Sequence, residues 1–245
     1  MTRLFEKIAN CIFPSNIYCI CCGSLVDETR SYSICDSCIE KFSWVGLKTC
    51  EKCGRILPAH EVHSMCSDCR SIERQFDRGY TCAKYGLYER ALVMDLKYRD
   101  KSYIGINLGD VLTDRMLAEF EPGELFEKYD AVIPVPSSRD RLNQRGYNQT
   151  EVMARRFCSN TGLVLDDHIL KRIACTEAMK DLNRMQRYAN VKGAFSVEDG
   201  RAPDIRGRDF LVIDDLMTTG STLDECARTL KAAGALVVDV LTFAS

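Results

Sequence analysis

From residue 80 onward, short continuous apolar runs alternate with longer stretches in which apolar residues recur at helical spacing. "YTCAKYGLY" (80–88) reads as a strand. "ERALVMDLKYR" (89–99) reads as a helix with Ala91, Leu92, Met94, Leu96 and Tyr98 as its candidate core residues. A helix over "IGINLGDVLTDRMLAEF" (104–120) leads to a strand "AVIPVP" (131–136), and a helix over "NQTEVMARRFCSNTG" (148–162) has Gly162 placed as its C-cap. The chain closes with the strand "FLVIDD" (210–215), the helix "TLDECARTLKAAG" (222–234) and the strand "LVVDVLTF" (236–243). Strands that are apolar throughout, separated by helices, imply a mostly parallel sheet covered on both faces, an α/β architecture.

The first third has a different texture. "MTRLFEKIANCIFP" sets Leu4, Phe5, Ile8, Ala9, Ile12 and Phe13 on one helical face, broken by Glu6 and Lys7. That reads as a short amphipathic helix rather than a secretory signal, and implies a cytoplasmic protein. No apolar run approaches the ~20 residues of a membrane-spanning helix. Of the 14 cysteines, eleven lie within residues 1–82, leaving Cys158, Cys175 and Cys226. This shift divides the chain into a module over 1–75 and a domain over 76–245.

Four Cys-x-x-Cys pairs occur, Cys19/Cys22, Cys35/Cys38, Cys50/Cys53 and Cys66/Cys69, and the last two repeat the first two at an offset of 31 residues. Two such turns complete a tetrahedral thiolate shell for Zn²⁺. Disulfides are the competing reading, disfavoured by the lack of an export signal. Sequential and interleaved pairings use the same spacing, so one or two zinc ions in either connectivity remain open at this point. Cys21 competes with Cys22 but breaks the two-residue gap. His60 and His63, inside the second loop, read as surface residues beside a complete cysteine set.

Charge changes the picture little: a net −2 with 46% hydrophobic and 28% charged residues describes an ordinary globular chain without a global field for nucleic acid or acidic membrane. Local chemistry changes it more. In "FLVIDDLMTTGSTLDECARTL" an apolar strand ends in Asp214 and Asp215, and Thr218, Thr219, Gly220, Ser221 and Thr222 then lead into a helix. Backbone N–H groups, hydroxyls and the helix N-terminus suit a phosphate monoester. Two acids repel a phosphate and suit neutral hydroxyls or a hydroxyl-bound Mg²⁺. A ribose 5-phosphate satisfies both. Simple N-capping is the bland alternative, but it needs one hydroxyl and no pair of acids at a buried strand end.

"VIDDLMTTGST" resembles the phosphoribosyl-pyrophosphate loop of type I phosphoribosyltransferases. The resemblance implies that Asp214 and Asp215 bind the ribose hydroxyls and act in catalysis, while Thr218, Thr219, Gly220, Ser221 and Thr222 cradle the 5-phosphate. The paired cysteines, "LKYRD", "IPVPSSRDRLNQRGYNQ", "LNRMQRYANVKGAF" and this loop occur together, in order, in the ComF family of competence-associated phosphoribosyltransferase-like proteins, which the chain resembles over essentially its whole length. The implied fold is a type I phosphoribosyltransferase fold, a mostly parallel sheet flanked by helices, preceded by a small zinc-binding module.

Within that resemblance, Arg139, Arg141 and Arg145 match the loop that meets the donor's diphosphate, as guanidinium groups pair with phosphate oxygens. Arg184 and Arg187 match a segment that closes over the donor in similar enzymes, where Met179 departs from an expected glutamine. Lys97 of "LKYR" reaches an anion, or snorkels along its helix. His168 is isolated and reads as a surface residue. The implied function is binding of 5-phosphoribosyl 1-diphosphate with Mg²⁺, with pentosyl transfer as the enzymatic reading, in a protein of natural competence and DNA uptake. The alternative is a non-catalytic adaptor for single-stranded DNA and a competence helicase, with Tyr98, Tyr147 and Tyr188 as candidate base-stacking residues.

Overall fold

A computed structural model describes residues 17–27, 29–46, 48–97, 101–173 and 184–245. The amphipathic helix expected over 1–14, together with Tyr98, Cys175 and Met179, lies outside them.

The two halves of the cysteine repeat fold alike. Antiparallel bridges join Tyr18 to Leu25 and Thr49 to Ile56, at the same 31-residue offset as the cysteines. Gly23 (φ +74°) and Gly54 (φ +70°) turn each first knuckle, and their amides donate to Cys19 O and Cys50 O. Each second knuckle opens a short helix, α1 (Asp36–Ile39) and α2 (Ser67–Ser71).

Beyond them run β1 (Gly79–Ala83), α3 (Leu87–Asp95), α4 (Tyr103–Leu117), α5 (Pro122–Lys128), β2 (Ala131–Pro134), α6 (Arg139–Arg145), α7 (Gln149–Thr161), β3 (Leu170–Arg172), α8 (Arg184–Val191), β4 (Phe195–Val197), β5 (Asp209–Leu216), α9 (Ser221–Ala232) and β6 (Val237–Ala244). The main sheet has the order β1-β6-β5-β2 and every pairing in it is parallel. β3 and β4 form a separate antiparallel pair. The alternation along β5 explains its continuous apolar run. Leu211 and Ile213 pack with α4 and α7 residues such as Leu108 and Phe157. Phe210 and Val212 pack on the other face with Leu223, Cys226 and Leu230 of α9. Each ribbon joins one of these layers, the first through Ile20, Ile34 and Phe42 and the second through Leu57 and its cysteines.

Three expectations change. On α3, Leu92 and Leu96 are buried as expected and Val93 joins them, while Ala91 and Met94 are exposed. The segment after β2, read as a basic loop, is the helix α6: Ser138 Oγ accepts from Arg141 N at its start, and Gly146 in the left-handed region (φ +83°) ends it. The strand expected over 80–88 stops at Ala83, because Gly86 begins α3 as its N-cap and its N–H donates back to Glu89 Oε2. Among the described residues no helix is long and apolar enough to cross a membrane.

Candidate functional site

The thiolates gather in sequential fours. Sγ atoms of Cys19, Cys22, Cys35 and Cys38 all lie within 4.8 Å of one another, and so do those of Cys50, Cys53, Cys66 and Cys69. This settles the connectivity against interleaving. Cys22 Sγ is 3.7 Å from Cys35 Sγ, and Cys53 Sγ is 3.7 Å from Cys66 Sγ. The edge of a tetrahedron with Zn–S bonds of about 2.3 Å is roughly 3.8 Å, so both quartets fit zinc. Cys35 N points to Cys19 Sγ at 3.4 Å and Cys66 N to Cys50 Sγ at 3.3 Å, amide contacts that stabilise a thiolate. Cys21 stands outside the first quartet, and His60 and His63 are exposed outside the second.

At the carboxyl edge of the parallel sheet, where α/β folds bind ligands, a cleft of about 700 Å³ opens over β5. Asp214 and Asp215 line it, followed by Thr218, Thr219, Gly220, Ser221 and Thr222. Gly220 adopts φ +82° and serves as the N-cap of α9, a conformation that a glycine holds without steric cost. Facing this loop are Arg141 and Arg145 of α6, Gln149 and Thr150 at the start of α7, and Lys97 beyond α3. Arg139, on the first turn of α6, is exposed and does not line the cleft. Arg184 and Arg187 lie on α8, and their side chains fall outside the described residues.

The electrostatics separate the cleft into two ends. Burial and then the Asp215 carboxylate raise the Asp214 pKa well above the ordinary 3.8, while Asp215 N donates to Asp214 Oδ1 at 2.9 Å. Lys97 Nζ stands 3.9 Å from Asp215 Oδ2. At the far end, burial and the neighbouring Arg141 charge depress the Arg145 pKa, and Arg145 Nη1 donates to Gln149 Oε1 at 2.7 Å. Two guanidinium groups, that of Arg145 partly desolvated, thus face the cleft opposite two carboxylates, which suits a ligand with hydroxyls at its centre and anions at both ends.

Several lining residues carried no sequence signal as site residues: Tyr85, Arg90, Met94, Ser137 and Arg172. Two of the tyrosines considered for stacking are committed inward. The Tyr147 hydroxyl donates to Leu96 O, and the Tyr188 hydroxyl lies 2.9 Å from Asp224 Oδ2. His168 is exposed, 3.2 Å from Asp167.

With this geometry the comparisons with known proteins agree. A phosphoribosyl transferase domain model matches residues 150–245, and a double zinc ribbon domain model matches residues 8–70. Competence protein ComFC of Streptococcus pneumoniae is 27% identical over 238 residues, covering 92% of this chain and 97% of the relative. Competence protein F of Haemophilus influenzae is 25% identical over 225 residues, with 92% and 95% covered. The chain is similar to ComF-family competence proteins over nearly its whole length. Another relative, the DNA utilization protein YhgH of Escherichia coli O157:H7, is 29% identical over 209 residues, 85% of this chain and 88% of its own. Among solved structures, an allosteric regulatory enzyme of purine biosynthesis aligns at a TM-score of 0.37 and 20% identity, over 56% of this chain and 25% of its own.

Proposed function

We propose that the cleft binds 5-phosphoribosyl 1-diphosphate together with Mg²⁺, and that the chain is a phosphoribosyltransferase-like protein of DNA uptake. The observation that carries this reading is the Asp214–Asp215 pair at the tip of β5, flanked by the Gly220 turn and faced by Arg141 and Arg145 across one cleft. The 5-phosphate sits at the turn, where the N-terminus of α9 and the hydroxyls of Thr218 to Thr222 supply donors. The acids accept from the ribose 2- and 3-hydroxyls. The guanidinium groups, with Lys97, meet the diphosphate. Asp214 and Asp215 offer hard carboxylate oxygens that would hold a hydroxyl-bound Mg²⁺, and such an ion would supply charge stabilisation for the pyrophosphate leaving group.

Transfer breaks the bond from ribosyl C1 to the diphosphate oxygen, which leaves with the electron pair, and an acceptor lone pair forms the new bond from the opposite face. Asp214 and Asp215 orient the sugar, Arg141 and Arg145 hold the leaving group, and Arg184 and Arg187 on α8 supply further cations to a closing segment. The module over 1–75 serves the domain over 76–245 as a zinc-dependent support. Calorimetric titration with the donor and Mg²⁺ tests the reading. Wild type is expected to bind, and Asp214→Asn/Asp215→Asn is expected to lose binding. Equal affinity of the two proteins sinks the assignment.

A second reading is favoured by the names of the relatives, which place them in competence and DNA utilization. In it the exposed Arg139 and the cleft arginines contact single-stranded DNA, or a helicase partner, without transfer. Phosphate contacts make such binding fall steeply with salt. Affinity for an oligonucleotide that stays constant from low to high salt excludes this reading.

A further inference from the structure

The carbonyls of the phosphate turn are held from beneath by two arginines that belong to the metal-binding module. Arg55 follows Gly54 of the third Cys-x-x-Cys knuckle. Its Nη1 donates to Asp68 Oδ2 at 2.9 Å, between Cys66 and Cys69, and its Nη2 donates to Thr218 O at 2.7 Å. Arg74 lies five residues beyond Cys69, and its side chain is 1% exposed. Its Nη1 reaches Asp224 Oδ2 at 2.8 Å, Thr219 O at 2.7 Å and the Tyr188 hydroxyl at 2.5 Å. Gln75 N completes the clamp by donating to Asp224 Oδ1 at 3.0 Å.

The ribbon that carries these arginines is fixed to the sheet by backbone contact. Gly79 N, at the start of β1, donates to Lys52 O at 2.8 Å. A Cβ at Gly79 would stand 2.8 Å from the Cys53 carbonyl carbon, so the knuckle and the strand meet with no room for a side chain. Leu57, Cys50, Cys53 and Cys66 share a core with Phe210, Val212 and Leu223. The first ribbon is docked on the opposite face, through bonds to α4: Tyr32 to Asp114 at 2.7 Å and Ser33 to Asn107 at 3.0 Å.

A trans peptide directs its C=O and N–H to opposite sides. Guanidinium groups that hold Thr218 O and Thr219 O inward therefore turn the N–H groups of Thr219 and Gly220 outward, toward the cleft. Gly220 allows it, with φ +82°, and an added Cβ there would stand 2.5 Å from Arg74 Nη1, so turn and clamp are built against each other.

We propose that Arg55 and Arg74 are positioning residues for the phosphate turn, and that through them the Cys50/Cys53/Cys66/Cys69 metal site and the phosphate site stabilise one another. The inference rests on the turn being a phosphate cradle. Linkage of this kind is reciprocal: a phosphate that needs the turn ordered tightens the metal by the factor by which the metal tightens the phosphate. The first quartet, on the other face, does not share in it.

The test uses the full chain, with ribose 5-phosphate as a probe of the turn alone and the complete donor with Mg²⁺ as a second probe. Arg55→Met is expected to weaken ribose 5-phosphate by about tenfold, within the usual range of coupling between sites, with both zinc equivalents retained. Arg55→Lys, which keeps one donor in reach, is expected to recover part of the loss. In wild type, saturating ribose 5-phosphate is expected to raise the chelator concentration that removes one of the two zinc equivalents, and in Arg55→Met this protection is expected to vanish. Arg74→Met is expected to act more strongly. Because it is buried, it also risks the fold, so the partly exposed Arg55 decides the matter. Wild-type binding with unchanged Arg55→Met affinity, or equal zinc protection in both proteins, overturns the positioning role alone. Wild type that binds neither probe overturns the donor reading, and this inference with it.

Discussion

Lys97 Nζ and Asp215 Oδ2 stand 3.9 Å apart across the mouth of the cleft, joining the segment after α3 to the tip of β5. Lys97 also lowers the pKa of Asp214, against the larger effects of burial and Asp215. The pair is partly exposed and contributes on the order of 1 kcal/mol. Lys97→Met is expected to weaken binding of the complete donor about fivefold at neutral pH, through loss of a cation for the diphosphate. Since the variant also raises the Asp214 pKa further, its affinity is expected to recover toward higher pH than that of wild type. Calorimetry of both proteins over a pH series checks the two effects together.

Asp214 gives a signed prediction for stability. A carboxyl whose pKa is raised on folding binds more protons folded than unfolded, so stability falls as pH climbs from the ordinary 3.8 through the raised folded value. Asp214→Asn removes that cost. The variant is expected to melt above wild type at neutral pH, each ~1 kcal/mol being worth about 2–4 °C in a chain of this size. The gap should narrow as pH falls toward 4. The difference between the proteins is the quantity to follow, because zinc release in acid is common to both. A variant that melts at or below wild type at pH 7 contradicts a desolvated Asp214 carboxylate repelled by Asp215.

Gly220 and Gly162 share the left-handed backbone but not their surroundings. At Gly162 (φ +79°) a Cβ meets nothing within 4 Å, whereas at Gly220 it would press on the enclosed Arg74 guanidinium. Gly162→Ala is expected to cost only the backbone term, about 1 kcal/mol, and to leave ribose 5-phosphate binding unchanged. Gly220→Ala is expected to cost roughly 2–3 kcal/mol and to abolish that binding. Thermal melts and calorimetry on the pair separate backbone strain from the collision.

The parts of the site that were legible in the sequence are those in which chemistry and neighbourhood coincide. Asp214 through Thr222 lie on one strand, one turn and one helix start, so their order alone defines a cradle. The zinc quartets were legible because a repeat at fixed spacing brings its own ligands together. The clamp was not legible. Arg55 is 163 residues from Thr218 and Arg74 is 145 residues from Thr219, and a charged residue in a polar segment gives no sign of being enclosed. α6 was read as a loop although Ser138 and Gly146, its two caps, are both plain in the sequence. The exposed Met94 shows the converse limit. Four residues beyond Arg90, it lies on the side of α3 turned away from the buried Leu92, Val93 and Leu96, and both residues line the open cleft.

Gln149 supplies the sharpest division between the two ends of the ligand. It opens α7, is 3% exposed, and lines the cleft. Its Oε1 accepts from Arg145 Nη1 at 2.7 Å, and its buried Nε2 has no hydrogen-bond partner among the described residues. A buried amide nitrogen left unpaired costs about 1–3 kcal/mol, a cost that an anionic ligand in the cleft relieves. The residue therefore acts twice, by fixing the Arg145 guanidinium and by offering a donor of its own. Gln149→Leu keeps the volume, removes the unpaired group and releases Arg145. It is expected to melt at or slightly above wild type while losing about tenfold or more in affinity for the complete donor. Ribose 5-phosphate, which lacks the diphosphate, is expected to bind the variant as it binds wild type. Equal losses for both ligands would place Gln149 in the support of the whole cleft rather than at its diphosphate end.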